Sequence, residues 1–171
     1  MRFTDYLTKS SNITPEMVLF FKKRLTLHRK LVSKFANLLM KEFPKLNNQK
    51  FKHNIEMHDL DKLQPQEYGF VLYHWYKYKL KDTSNIPEEY KEAIKQAFNQ
   101  HGNNSNHHIE GWNSSMSYDD IAEMCCDWAA VSIENGVSIL QSSMALIKTT
   151  GVSLNIEQEK MIVQMLKYLE S

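Results

Sequence analysis

The sequence predicts an all-α protein, and three observations point there. Apolar residues recur at helical spacing, as in Val18, Phe21, Leu25, Val32, Phe35 and Leu39. No segment alternates apolar and polar residues as a strand would, and no internal repeat is visible. Helix breakers are scarce, with Gly 5 and Pro 4 among 171 residues, and most of them punctuate the helical stretches.

The elements come in order along the chain. Thr14 is an N-cap, Pro15 stands at the first helical position and Glu16 lies in the first turn, so one long helix is expected over 15–43, stopped by Pro44. A second helix is expected over 65–80, opening at Pro65. A third starts at Pro87 and stops at Gly102. The run 101–106, HGNNSN, reads as the clearest loop. Ser117 caps a fourth helix with acids in its first turn, ending near Gly136. The stretches VSILQSSMALIKTTG and NIEQEKMIVQMLKYLE make the last two. The length suits a single helical domain spanning 1–171.

Composition removes several function classes. The chain is 42% hydrophobic and can bury a core. Its net charge is +1, with acids and bases interspersed, so there is no strong nucleic-acid signal. No run approaches ~18 uninterrupted apolar residues, so no membrane span is expected. The N-terminal MRFTDYLTKSSN lacks the apolar stretch of a signal peptide. Cys125 and Cys126 are the only cysteines and read as buried thiols in a reducing compartment. A cytoplasmic location is expected. The oligomeric state is open, since MIVQMLKYL could pack inward or pair.

Seven histidines stand out, at 28, 53, 58, 74, 101, 107 and 108. His58 and Asp59 are consecutive, at the expected start of a short helix, and can offer nitrogen and carboxylate oxygen to one ion. Lys62 lies one turn beyond Asp59 and can face the same cavity. Asp127 sits among Met124, Cys125, Cys126, Trp128 and Ala129. A carboxylate buried there needs a salt bridge or a bound cation. His28 lies mid-helix. His53 and His74 lack motif support and read as non-ligands. Trp112 and Trp128 suit the core or a stacking wall for a base.

The order His28, His58-Asp59, Asp127 resembles the HD-domain superfamily of metal-dependent phosphohydrolases, and HDLDK is similar to its HD-x-x-K form. NHHIEGW at 106–112 resembles the His-His-x-Glu segment of members that hold two or more metals, among them the cyclic-dinucleotide phosphodiesterases. The Gly-Tyr-Pro of that branch is missing, with Gly111-Trp112 near its place, so that specificity is not implied. The chain is also similar to a small HD-like family carrying HD-x-x-K, N-HH-x-E-x-W and EM-x-x-DW. The resemblance covers 20–135, leaving C-terminal helices over 137–170.

This resemblance implies metal ligation by His28, His58, Asp59 and Asp127, with His101, His107 and His108 as candidates for a second ion. Glu110 would orient a histidine through its other ring nitrogen or act as general acid/base. Glu123, four residues before Asp127 on the same helical face, suits either role equally. The mixed His/Asp set suits one or two divalent ions such as Mn, Fe, Co, Ni or Zn. The expected reaction is attack of a metal-activated hydroxide on a phosphate ester, a nucleotide or cyclic nucleotide, with Lys62 balancing phosphate charge. Two alternatives stay open: a di-iron HD-fold oxygenase, and a non-catalytic metal- or ligand-binding regulatory domain.

Overall fold

The Thr14 hydroxyl accepts from the Met17 amide at 3.3 Å, Pro15 comes next, and the chain enters its longest helix, α1, Pro15–Glu42. A 3-10 turn, Pro44–Leu46, leads to α2, Gln49–Met57. There Asn48 caps the helix by accepting from the Phe51 amide. A second 3-10 turn spans Leu60–Leu63. Helix α3, Tyr68–His74, widens into a π-helix over Trp75–Leu80. Helix α4 is Glu88–Asn104, α5 Tyr118–Asn135, α6 Ile139–Thr150 and α7 Ile156–Glu170. This computed structural model describes residues 13–64, 68–105, 107–108 and 116–171, and none of those is in a strand. The fold is all-α.

Two expectations are corrected. Gly102 does not end α4, which runs on to Asn104. Glycine terminates a helix by taking a left-handed conformation. Gly136 (φ 66°) and Gly151 (φ 65°) do so, and Gly102 does not. The second helix is α-helical only to His74, and its expected start at Pro65 lies outside the described residues. The pair His58-Asp59 does stand at the start of a short helix, the 3-10 turn Leu60–Leu63. His58 caps the C-terminus of α2, an element that the apolar periodicity does not reveal, and Asp59 enters the 3-10 turn in a left-handed conformation (φ 60°).

The described chain forms two compact units. The first holds the residues up to Leu27 and Asp59–Asn104. The second holds His28–His58 and the residues from Ser105 onward. Helix α1 thus contributes its first half to one and its second half to the other.

In the first unit, Met17, Val18, Phe21 and Leu25 of α1 pack with Phe70, Val71 and Leu72 of α3 and Ala97 of α4. Burying each large apolar side chain is worth roughly 1.5–3 kcal/mol. Gly69 lets α3 and α4 approach closely, since a Cβ there would stand 2.3 Å from the Ala93 carbonyl oxygen. In the second unit, Val32, Phe35 and Leu39 of α1 join Phe51 of α2, Ile121, Met124 and Ala129 of α5, and Ile162, Met165 and Leu166 of α7. Cys125 and Cys126 are free thiols inside that core. Burial pushes both thiols well up from their ordinary value, which makes them inert packing groups.

Candidate metal centre

Helix α5 brings three acids, Glu123, Asp127 and Glu134, to the buried cluster of the second unit. Its start is fixed by a capping box, in which Ser117 accepts from the Asp120 amide and Asp120 accepts from the Ser117 amide. Glu123, Asp127 and Glu134 then succeed one another at spacings of four and seven, which place them on one face. Opposite them, α1 supplies His28, and the end of α2 supplies His58. Arg29 holds that end in place. Its Nε donates to the His58 carbonyl at 2.8 Å and its Nη2 to the Glu56 carbonyl at 2.6 Å. Those are carbonyls that a helix C-terminus would otherwise leave without an intrahelical partner.

His28 Nδ1 is 2.9 Å from Glu134 Oε1. His58 Nδ1 is 3.0 Å from Glu123 Oε1. On the other side of the two rings, the Nε2 atoms are 3.3 Å apart. Asp127 Oδ1 lies 3.0 Å from Nε2 of His28 and 3.8 Å from Nε2 of His58. His107 also directs Nδ1 onto Glu123 Oε1, at 3.0 Å, and its ring lies 4.5 Å from that of His58 and 4.4 Å from that of His108. The side chain of His58 is fully buried, and those of Glu123, Glu134 and His28 are close to it, while Asp127 keeps 15% of its surface exposed.

These contacts set the charge states. Burial pushes the Glu123 carboxyl upward, but the hydrogen bonds from His107 and His58 outweigh it and bring it down to about 2. Burial also works against the Asp127 carboxylate. The His28 hydrogen bond and the positive charge of His28, His58 and His107 hold it far below the usual carboxylate range. The ionised Glu123 only accepts, so Nδ1 of His58 donates to it, and Glu134 Oε1 offers an acceptor to Nδ1 of His28. In a neutral imidazole the lone pair then sits on Nε2. Two such lone pairs and a carboxylate oxygen converge here, and that arrangement calls for a cation among them, either a proton or a metal ion. The three ligand atoms lie within 4.8 Å of one another, so this buried His/His/Asp group could hold a metal ion. Two imidazole nitrogens and one carboxylate oxygen suit borderline divalent ions.

The first unit carries its own cluster. Lys62 Nζ is 2.8 Å from Asp59 Oδ2. His101, in the last turn of α4, places Nε2 3.1 Å from Asp59 Oδ1 and Nδ1 2.6 Å from Asp61 Oδ2. Burial lowers the affinity of His101 for a proton, but its hydrogen bonds to Asp59 and Asp61 reverse that and raise its pKa. Protonated, His101 clamps two carboxylates. Deprotonated, it stands with Asp59 and Asp61 at a spacing that could hold an ion.

A family model described as "Family of unknown function (DUF5662)" matches residues 17–168. The chain belongs to the DUF5662 family. No curated protein and no solved structure matches it. The matched span takes in every residue of both clusters, so the arrangement lies within the DUF5662 part of the chain.

In this DUF5662 chain, His28, His58, Asp127, His107 and Glu123 meet in the second unit, with the His108 ring tilted against that of His107. Asp59, Lys62 and His101 meet in the first. Lys62 donates to Asp59 Oδ2. His53 is exposed, and His74 packs edge-on against Phe21 with ring centroids 5.0 Å apart, so neither joins a cluster. Trp128 is buried. Glu110 and Trp112 lie outside the described residues. Glu134, Asp61 and Arg29 join these clusters without being singled out by the sequence. Glu134 and Arg29 touch their partners 106 and 29 positions away, where no local motif reports them. Asp61 alone carries a local signal, as the second acid of HDLD.

Proposed function

We propose that this chain is a metal-dependent phosphohydrolase of HD-domain type, acting in the cytoplasm on a phosphate ester of the nucleotide or cyclic-nucleotide class. The observation that carries the metal requirement is the convergence of His28 Nε2, His58 Nε2 and Asp127 Oδ1. The motif order His28, His58-Asp59, Asp127 and the HD-x-x-K form of HDLDK support the choice of reaction.

In this reading His28, His58 and Asp127 hold the ion, and Asp59 is the charged half of the doublet. Bound there, a divalent ion such as Mn, Fe, Co, Ni or Zn would supply a Lewis acid for a phosphoryl oxygen and lower the pKa of water. The chain's own groups do the rest. Glu123 orients the His58 and His107 imidazoles through Nδ1. Asp127 brings negative charge that favours a divalent cation over a proton. Lys62 keeps an ammonium beside Asp59, of a kind that stabilises phosphate oxygens. His107 and His108 offer nitrogens to a second ion or to the phosphate itself.

The test is a panel of nucleotides, cyclic nucleotides and simple phosphate esters, assayed with each divalent ion after chelation and reloading. Phosphate or nucleoside monophosphate release that depends on the added ion supports the reading. A protein that binds iron, shows a mixed-valent EPR signal in air and releases no phosphate would replace it with oxygenase chemistry.

A further inference from the structure

We propose that Glu134 is a positioning residue. It keeps the proton of His28 on Nδ1 and so makes Nε2 the atom that His28 presents to a cation. This inference rests on the reading of His28, His58 and Asp127 as a metal-binding set, and it names a residue which that reading does not require.

Three observations carry it. First, Glu134 Oε1 is 2.9 Å from His28 Nδ1, and the Glu134 side chain is only 9% exposed, so a buried carboxylate oxygen stands within hydrogen-bond distance of that ring nitrogen and offers it an acceptor. The partner of one ring nitrogen decides what the other can do. Second, Glu123 does the same for His58 and for His107, through one oxygen at 3.0 Å from each Nδ1. Three histidines of one cluster thus share one orientation rule, with every Nδ1 on a glutamate. Third, Glu134 sits where a helix disfavours it. It is in the last turn of α5, which holds no basic residue. The carbonyl end of a helix repels an anion, whereas Asp119 and Asp120 sit in the first turn, where the dipole welcomes them. A residue placed against the dipole and buried against an imidazole is better explained by what it does to that imidazole than by helix stability.

The geometry also makes α5 a single delivery strut. Asp127 faces the Nε2 side of His28 while Glu134, two turns on, faces its Nδ1 side. The ring is held between two carboxylates of the same helix. Its plane is therefore set before any ion arrives, and a cation that takes the Nε2 side leaves the ring proton on the Glu134 side.

The experiment uses full-length protein, wild type and Glu134→Ala and Glu134→Gln, with helicity checked by circular dichroism. Long-range proton–nitrogen correlation spectra of the histidine rings locate the ring protons without added metal. Calorimetric titration with Zn²⁺ measures affinity. The expected results are a protonated His28 Nδ1 in the wild type, Zn²⁺ bound through Nε2, and affinity reduced roughly 10–100-fold in Glu134→Ala. Glu134→Gln keeps an acceptor and should fall between the two. A bare Nδ1 on His28 in the wild type, or unchanged Zn²⁺ affinity in Glu134→Ala, overturns the positioning role and leaves the metal site standing. A protonated Nδ1 that is lost in Glu134→Ala, in a protein that takes up no Zn²⁺, upholds the positioning role and removes the metal reading instead.

Discussion

His28 and His58 face each other through their Nε2 atoms at 3.3 Å, while their Nδ1 atoms turn away onto Glu134 and Glu123. Two imidazoles placed for packing alone would have no reason to aim lone pairs at one another with a carboxylate oxygen beside them. Asp127 Oδ1 completes the convergence, at 3.0 Å from His28. That relationship, and the contacts that build it, have measurable consequences.

Stability should depend on Glu123 below neutral pH. Its folded-state pKa is depressed from 4.5 to about 2. A depressed carboxyl stabilises the fold above its unfolded value, and that contribution is lost as pH falls from 4.5 through 2. The loss is at most about 3 kcal/mol. Urea melts at pH 5, 4 and 3 should show a steep decline in the wild type and a flatter one in Glu123→Gln. Parallel declines in the two proteins would contradict this.

Asp59→Ala should abolish metal-dependent hydrolysis, by orders of magnitude, and leave far-UV circular dichroism helical. The carboxylate is the charged half of the doublet and also accepts from Lys62 and His101. Retention of full turnover on the substrate that the panel identifies would remove Asp59 from the mechanism.

The shape of the site is partly legible in the sequence. Ser117, Pro15 and Gly136 mark helix ends through chemistry that acts within a few residues, so the boundaries of α5 and the start of α1 can be read directly. His28, His58, Asp59, Asp127 and Glu123 can be named because ligand-type residues sit in a recognisable order. The hidden part depends on distant contacts. Glu134, next to Asn135 at a helix end, looks like any solvated terminus until His28, 106 positions away, packs against it. Helix α2 escapes notice because QKFKHNIEM carries few apolar residues, with Phe51 its one fully buried side chain. Gly102 misleads because a glycine's helical or left-handed state is set by the chain after it, and the sequence does not display φ.

His107→Ala combined with His108→Ala should leave the ion at His28, His58 and Asp127 in place and still reduce hydrolysis by orders of magnitude. The His58–Glu123 contact at 3.0 Å does not need either residue. Metal content and turnover, measured on the same preparation, check both halves. Unchanged turnover with normal metal content would return the two histidines to an ordinary polar turn.

Gly69→Ala should destabilise the first unit by about 3 kcal/mol or more. The new Cβ would stand 2.3 Å from the Ala93 carbonyl oxygen and 2.9 Å from the Ala97 Cβ, so α3 and α4 must move apart. Thermal or urea unfolding reads this directly, and a wild-type midpoint would show that the two helices have room to spare at their contact.

Bound-metal analysis of the purified chain, stripped with chelator and reloaded, tests the central claim most directly. The convergence of His28, His58 and Asp127 predicts at least one divalent transition-metal ion per chain, and loss of that ion in Asp127→Ala while circular dichroism stays helical. A wild-type chain that takes up no divalent ion, or an Asp127→Ala chain that binds it undiminished, would contradict the claim.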